Sequence, residues 1–274
     1  MTSHSFDQAL HLTSGDAPNM TLGATSPAYW NMVGPFGGYT AALAIRAVMQ
    51  NPALLGEPVA LTVNYAGATT EGPFTITATP ARTNRSTQHW VITLSQTSAT
   101  GEPEVAMTAT VMTALRRHTW HANDMPMPVV PAVSAAARDN RGGAPVWLER
   151  YDMRFVHGSV PAQFDGREAS SLTQLWVRDE PPRPLDFASL TAMADVFYPR
   201  IWLRRATRVA AGTVSMTTYF HASQAQLTDA GSGYLLGQAQ AQAFRHGFFD
   251  QTAQLWSEAG TLLATSTQLV YYKE

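Results

Sequence analysis

The alternation of apolar and polar positions divides the chain into two similar series of elements. In the first, Gly37-Gly38 opens a segment, residues 39–50, in which Ala42, Ile45 and Met49 recur at helical spacing, and Pro52 ends it. Strand-like runs rich in Val, Thr and aromatics follow at 59–67, 74–82, 88–97 and 105–115, punctuated by Gly72-Pro73 and Gly101-Glu102-Pro103. In the second, residues 186–197 read as a helix with Phe187, Leu190, Ala194 and Phe197 on one face, closed by Pro199. Strand runs follow at 213–222, 234–244, 248–256 and 262–272. Residues 6–12 read as a leading strand of the first series, and 151–158 and 169–177 as leading strands of the second. The run 105–112 overlays 263–270 in its apolar and small positions, so the repeat rests on element order more than on identity.

A helix followed by antiparallel strands, without strand–helix alternation, predicts an α+β fold. Each helix needs a curved sheet to cover its apolar face, and two such units side by side protect each other's sheet edges. The expected domains are residues 1–115 and 146–274. Between them, 116–145 reads as a linker, with Pro126, Pro128, Pro131, Gly142, Gly143 and Pro145.

Composition narrows the function. Charged residues are 14% of the chain, below the usual value of about 25%, so much of the surface is expected to be hidden, by packing of the two halves or in a homo-oligomer. The net charge is −2 and the arginines are scattered, which argues against a nucleic-acid partner. With no cysteine, thiolate catalysis, disulfides and cysteine-held zinc are excluded. No serine lies in a Gly-x-Ser-x-Gly elbow. His118 and His121 have metal-like spacing but no carboxylate beside them, and read as surface residues. No cofactor is called for. The uncharged stretch 21–45 is broken by Pro27, Pro35 and several glycines and does not read as a membrane span; the start shows no signal peptide, so a cytoplasmic location is expected.

Five stretches carry a resemblance: Gly34-Pro-Phe-Gly-Gly-Tyr-Thr-Ala-Ala42, Leu190-Thr-Ala-Met-Ala-Asp195, Gly212-Thr-Val-Ser-Met-Thr-Thr-Tyr-Phe-His221, His246-Gly-Phe248, and Gly260-Thr-Leu-Leu-Ala-Thr-Ser-Thr-Gln-Leu269. In this order and spacing the chain resembles the double-hotdog acyl-CoA thioesterases of the bacterial thioesterase II type. The resemblance implies two fused hotdog domains, an acyl-CoA substrate, and a water held jointly by Asp195, Thr213 and Gln268. It also implies substrate contacts from Gly37, Gly38, Gly247 and Phe248. The sequence departs from the family at two positions, with Ser215 where an Asp is frequent and His246 where an Arg is frequent.

Thioester hydrolysis needs a water, an acceptor for its proton and a donor for the developing oxyanion. A partly buried carboxylate can accept the proton, and a hydroxyl and an amide can hold the water. Backbone N–H groups at a helix start, such as that opened by Gly37-Gly38, can polarise the carbonyl. Each residue also has a plain structural reading: Asp195 as a solvated charge, Thr213 as an ordinary strand residue, Gln268 as a packing partner of Ala264 and Ser266, and His221 as a structural hydrogen-bonding residue. The first-half positions aligned with the trio fall near Ala47, Pro58 and Thr110, none of which can activate water, so one site per chain is expected. Two other readings stay open. Hotdog hydratases and dehydratases use a His–Asp pair, and no histidine is near Asp195 in sequence; a non-catalytic acyl-binding scaffold would need no such group.

Overall fold

The computed structural model describes residues 3–98, 100–139, 145–167 and 170–274. Gly142 and Gly143 of the predicted linker, and Ala169 at the start of one predicted strand, lie outside these residues. In chain order the first half contains α1 (Ser5–Ala9), β1 (Thr13–Ser14), β2 (Met20–Ala24), α2 (Gly37–Gln50), β3 (Glu57–Tyr65), β4 (Pro73–Thr83), β5 (Thr87–Thr97) and β6 (Pro103–Ala114). The second contains β7 (Tyr151–His157), β8 (Thr173–Asp179), α3 (Phe187–Met193), α4 (Arg200–Arg205), β9 (Ala211–Phe220), α5 (Gln224–Ala230), β10 (Leu235–Gln240), β11 (Phe244–Arg245), β12 (Phe248–Ser257) and β13 (Leu262–Tyr272).

The strands form one antiparallel sheet in the order β1-β2-β4-β5-β6-β3-β9-β13-β12-β10-β8-β7, with β11 beside β12. Its two halves meet at β3 and β9, where Thr62 faces Thr217 with their hydroxyls 3.0 Å apart. Each half closes over one helix, which is the double-hotdog architecture expected. The join also covers the edges that β3 and β9 would otherwise present to solvent.

The two helices touch. Helix α2 is buried on nearly every side and is rich in small residues, among them Ala41, Ala42, Ala44 and Ala47. It is wedged between its own sheet and α3. The contact is closest at Gly38, where an added Cβ would lie 2.5 Å from the carbonyl oxygen of Ala192. Only glycine permits this approach of backbone to backbone.

Two sequence expectations are corrected. Residues 6–12 begin as helix α1, not a strand. The buried positions are Phe6, Ala9, Leu10 and Leu12, a helical spacing at the start, and His4 Nδ1 accepts the Phe6 N–H at 3.1 Å as a cap. The second central helix is shorter than 186–197. Asp186 caps it by accepting the Ser189 N–H at 2.8 Å, and the chain leaves the helix after Met193. Two short helices add to the elements read from the sequence: α4, which buries Ile201, Trp202 and Leu203, and α5, whose start carries the capping box of Ser223 and Gln226.

The segment after β6 is no free tether. Met127, Val130, Val133 and Ala136 pack on Trp176, Tyr234, Leu236 and Trp256 of the second half. The indole N–H groups of Trp176 and Trp256 donate to the carbonyls of Pro131 and Met125. Pro-rich composition here means a strap with one short 3-10 turn, Val133–Ala135, among its described residues, held down by aromatic residues.

Candidate active site

Where α3 ends, the chain turns so that Asp195 N–H still bonds the Ala192 carbonyl at 3.1 Å while the side chain reaches across to α2. A carboxylate at the C-terminal end of its own helix is disfavoured by that helix's dipole. Here it lies instead against the first turn of α2, with Oδ2 2.8 Å from the position a Cβ on Gly37 would take. The N-cap residue of α2, Phe36, makes no side-chain cap, and the carboxylate from the other half of the molecule stands at this helix start, where the nearby Gly38 N–H favours its charged form.

Gln268, in β13, donates from Nε2 to Asp195 Oδ1 at 2.8 Å, and its Oε1 accepts from the Thr213 hydroxyl at 3.3 Å. The three residues implied by the resemblance are therefore joined in one hydrogen-bonded series, Thr213 to Gln268 to Asp195. A β-bulge makes this possible. On β9, Met216, Thr218 and Phe220 face inward, and strict alternation would turn Thr213 outward. The register with β13 shifts so that Leu269 pairs with Ser215 but Val270 with Thr213, leaving Val214 as the extra residue. The shift returns Thr213 to the inner face.

Burial raises the Asp195 pKa from 3.8 to about 7, against the hydrogen bond from Gln268 and the nearby Gly38 N–H that lower it. The group is thus poised to exchange a proton near neutral pH. Tyr65, from the first half, donates to the Gly37 carbonyl at 2.8 Å, and burial with the nearby Asp195 charge pushes its own pKa up, so it stays a neutral donor.

The trio opens on a cavity of about 470 Å³. One wall comes from the first half through the loop 31–37, Tyr65 and Thr69. The other comes from the second half through Phe197, Trp202 and Phe249. Phe36 and Trp147 stack at 4.1 Å along its lining. Arg208 is the sole guanidinium among its described lining residues, exposed, and lies 5.6 Å from the Trp202 ring. A second depression of about 560 Å³, with Arg204, Arg205 and Arg245, shares no residue with the first and holds no carboxylate among its described lining residues. Of the two, the first holds a carboxylate, Asp195, among its described lining residues.

Of the four residues expected to touch substrate, Gly37 lines the cavity, and Gly38 stands behind it, against Ala192. Gly247 and Phe248 do not line it. Gly247 sits at φ +77° in the turn before β12, and Phe248 packs outside on Tyr271 at 5.5 Å. Successive residues of a strand face opposite sides, so it is Phe249 and Gln251 that point inward. Ser215 and His246 are likewise off the cavity, so the departures from the family there leave its lining untouched. His221 is bonded to Thr265 at 3.0 Å, and His118 and His121 are exposed. In the first half Ala47 and Pro58 are buried and Thr110 faces solvent, and no water-activating group stands at any of them.

Residues 26–114 match the acyl-CoA thioesterase N-terminal domain and residues 125–272 the acyl-CoA thioesterase C-terminal domain, so the chain belongs to the acyl-CoA thioesterase family with two hotdog domains. A hot dog fold protein of unknown function from Alicyclobacillus acidocaldarius is 42% identical, with a TM-score of 0.93 over 100% of this chain and 99% of that one. A candidate thioesterase II from Thermobifida fusca is 21% identical, with a TM-score of 0.80 over 98% and 97%. Acyl-CoA thioesterase II TesB2 from Mycobacterium marinum is 16% identical, with a TM-score of 0.75 over 98% of each chain. At these lower identities the likeness is one of fold. Among curated proteins no match is found.

Proposed function

We propose that the protein hydrolyses an acyl-CoA to the free acid and CoA by direct attack of water, at one site per chain. The observation that carries this reading is a carboxylate whose pKa burial sets at about 7, bonded to Gln268 and opening on an apolar cavity. A water beside Asp195, Gln268 and Thr213 gives its proton to the carboxylate as its oxygen bonds to the thioester carbon. The carbonyl π pair moves onto oxygen. Collapse of this tetrahedral intermediate breaks the C–S bond, and the departing thiolate takes the proton back from Asp195. Water oxygen ends in the acid, and the carboxylate returns to its starting state.

A hydratase or dehydratase reading is disfavoured because no histidine is among the described residues of the cavity. Thiol release over a panel of straight-chain, branched and aromatic acyl-CoAs tests the proposal. Hydrolysis of at least one class is expected. No thiol from any of them would favour a non-catalytic acyl-binding role.

A further inference from the structure

Beside Gln268, on the neighbouring strand, stands a second glutamine that the trio does not employ. Gln251 of β12 is the register partner of Gln268 in β13, so the two side chains rise together from the inner face of the sheet. Gln251 is 3% exposed and lines the cavity. Its amide makes no hydrogen bond to any described residue, yet it is not among the polar atoms sealed from any opening. A buried amide left unpaired is costly, and such groups in native proteins are met by a ligand or by water. Its same-face neighbours in the strand, Phe249 and Ala253, offer it no partner.

We infer that Gln251 is a further catalytic residue, whose Nε2–H donates to the thioester carbonyl oxygen and holds the oxyanion as water attacks. Two observations favour the carbonyl as the group it meets. The start of α2, whose N–H groups could otherwise meet an oxyanion, is occupied by the Asp195 carboxylate, with Oδ2 2.8 Å from a Cβ position on Gly37. The position of Gln251 is also set by that of Gln268. Adjacent strands lie about 4.8 Å apart, and a water held by Gln268 and Asp195 attacks a carbon roughly 3 Å away, which brings the carbonyl oxygen toward the Gln251 amide. Donors preplaced where charge develops act on kcat more than on KM. This inference rests on the thioesterase reading, and its test separates the two.

The variant is Gln251→Met, which keeps length and removes the donor. On a straight saturated acyl-CoA, kcat should fall by about 10²–10³-fold with KM little changed. Binding is measured in parallel with two unreactive analogues: a CoA thioether that lacks the carbonyl, and a ketone with CH2 in place of sulfur. The variant should bind the thioether as wild type does, which also shows that the site is folded, and the ketone about tenfold more weakly. Unchanged kcat, an effect on KM alone, a loss confined to chains bearing their own polar group, or equal weakening of both analogues would overturn the assignment. Wild-type protein inert toward every acyl-CoA would sink the thioesterase reading, while the analogue pair still reports on Gln251.

Discussion

Asp195→Asn is expected to lower kcat for acyl-CoA hydrolysis by about 10²–10⁴-fold, the usual share of a general base, while making the protein more stable at pH 8. Both effects come from the same burial. The carboxyl titrates at about 7 in the folded protein and near its ordinary 3.8 when unfolded. Between those values the folded state holds the extra proton, so stability falls as pH rises from about 4 to 7. Above pH 7 the full cost of a buried carboxylate is present, and an uncharged amide avoids it. The gain expected at pH 8 is about 2–4 kcal/mol, shrinking to nothing below about pH 4. Wild-type kcat/KM should rise through an apparent pKa of about 7, a limb the variant lacks. Denaturant midpoints and rates measured over the same pH range check both halves. A variant less stable than wild type at pH 8 would mean that the hydrogen bond from Gln268 and the helix start beside Gly38 outweigh desolvation.

The second large effect is expected far from any titration. In Gly38→Ala the new Cβ would stand 2.5 Å from the Ala192 carbonyl oxygen and 2.7 Å from the Phe36 ring. A backbone oxygen cannot swing aside, so α2 must move away from α3. Overpacking of this kind costs about 1–3 kcal/mol. The catalytic loss should be larger than that strain suggests, because the first turn of α2 also positions Asp195. Displacement of about 1 Å at such a contact lowers kcat by about 10²-fold. Unfolding midpoint and kcat for acyl-CoA hydrolysis report this directly. If both match wild type, the contact between α2 and α3 does not set the site.

Much of this fold is legible in the chain. The four strand runs of each half stand within a few residues of β3–β6 and of β9, β10, β12 and β13. Period-two patterning with Gly and Pro turns is a local signal, and each half of the sheet has one buried face, so the signal survives. Short elements fare worse. Helix α4 has only one turn of apolar residues, and α1 repeats an apolar pattern that suits strand and helix alike until its burial is seen. The site is legible only through family likeness. Asp195 and Gln268 are 73 residues apart, and nothing in either neighbourhood announces the other. Strand facing is the subtler loss. A shift of one position separates Phe248 outside from Phe249 inside, and the extra residue at Val214 is what brings Thr213 to Gln268. Bulges and facing depend on register with a neighbouring strand, which a single sequence does not carry. The first half, where the aligned positions Ala47, Pro58 and Thr110 suggest a silent copy, contributes the start of α2, Tyr65 and one cavity wall.

The most direct measurement is a rapid-quench single turnover with enzyme in excess over an acyl-CoA that it hydrolyses, following thiol, free acid and intact protein mass together. With water attacking under Asp195, thiol and acid should appear at one rate and the protein mass should stay unchanged throughout. Thiol released ahead of acid, with an acyl adduct on Asp195 or Thr213, would contradict direct attack by water.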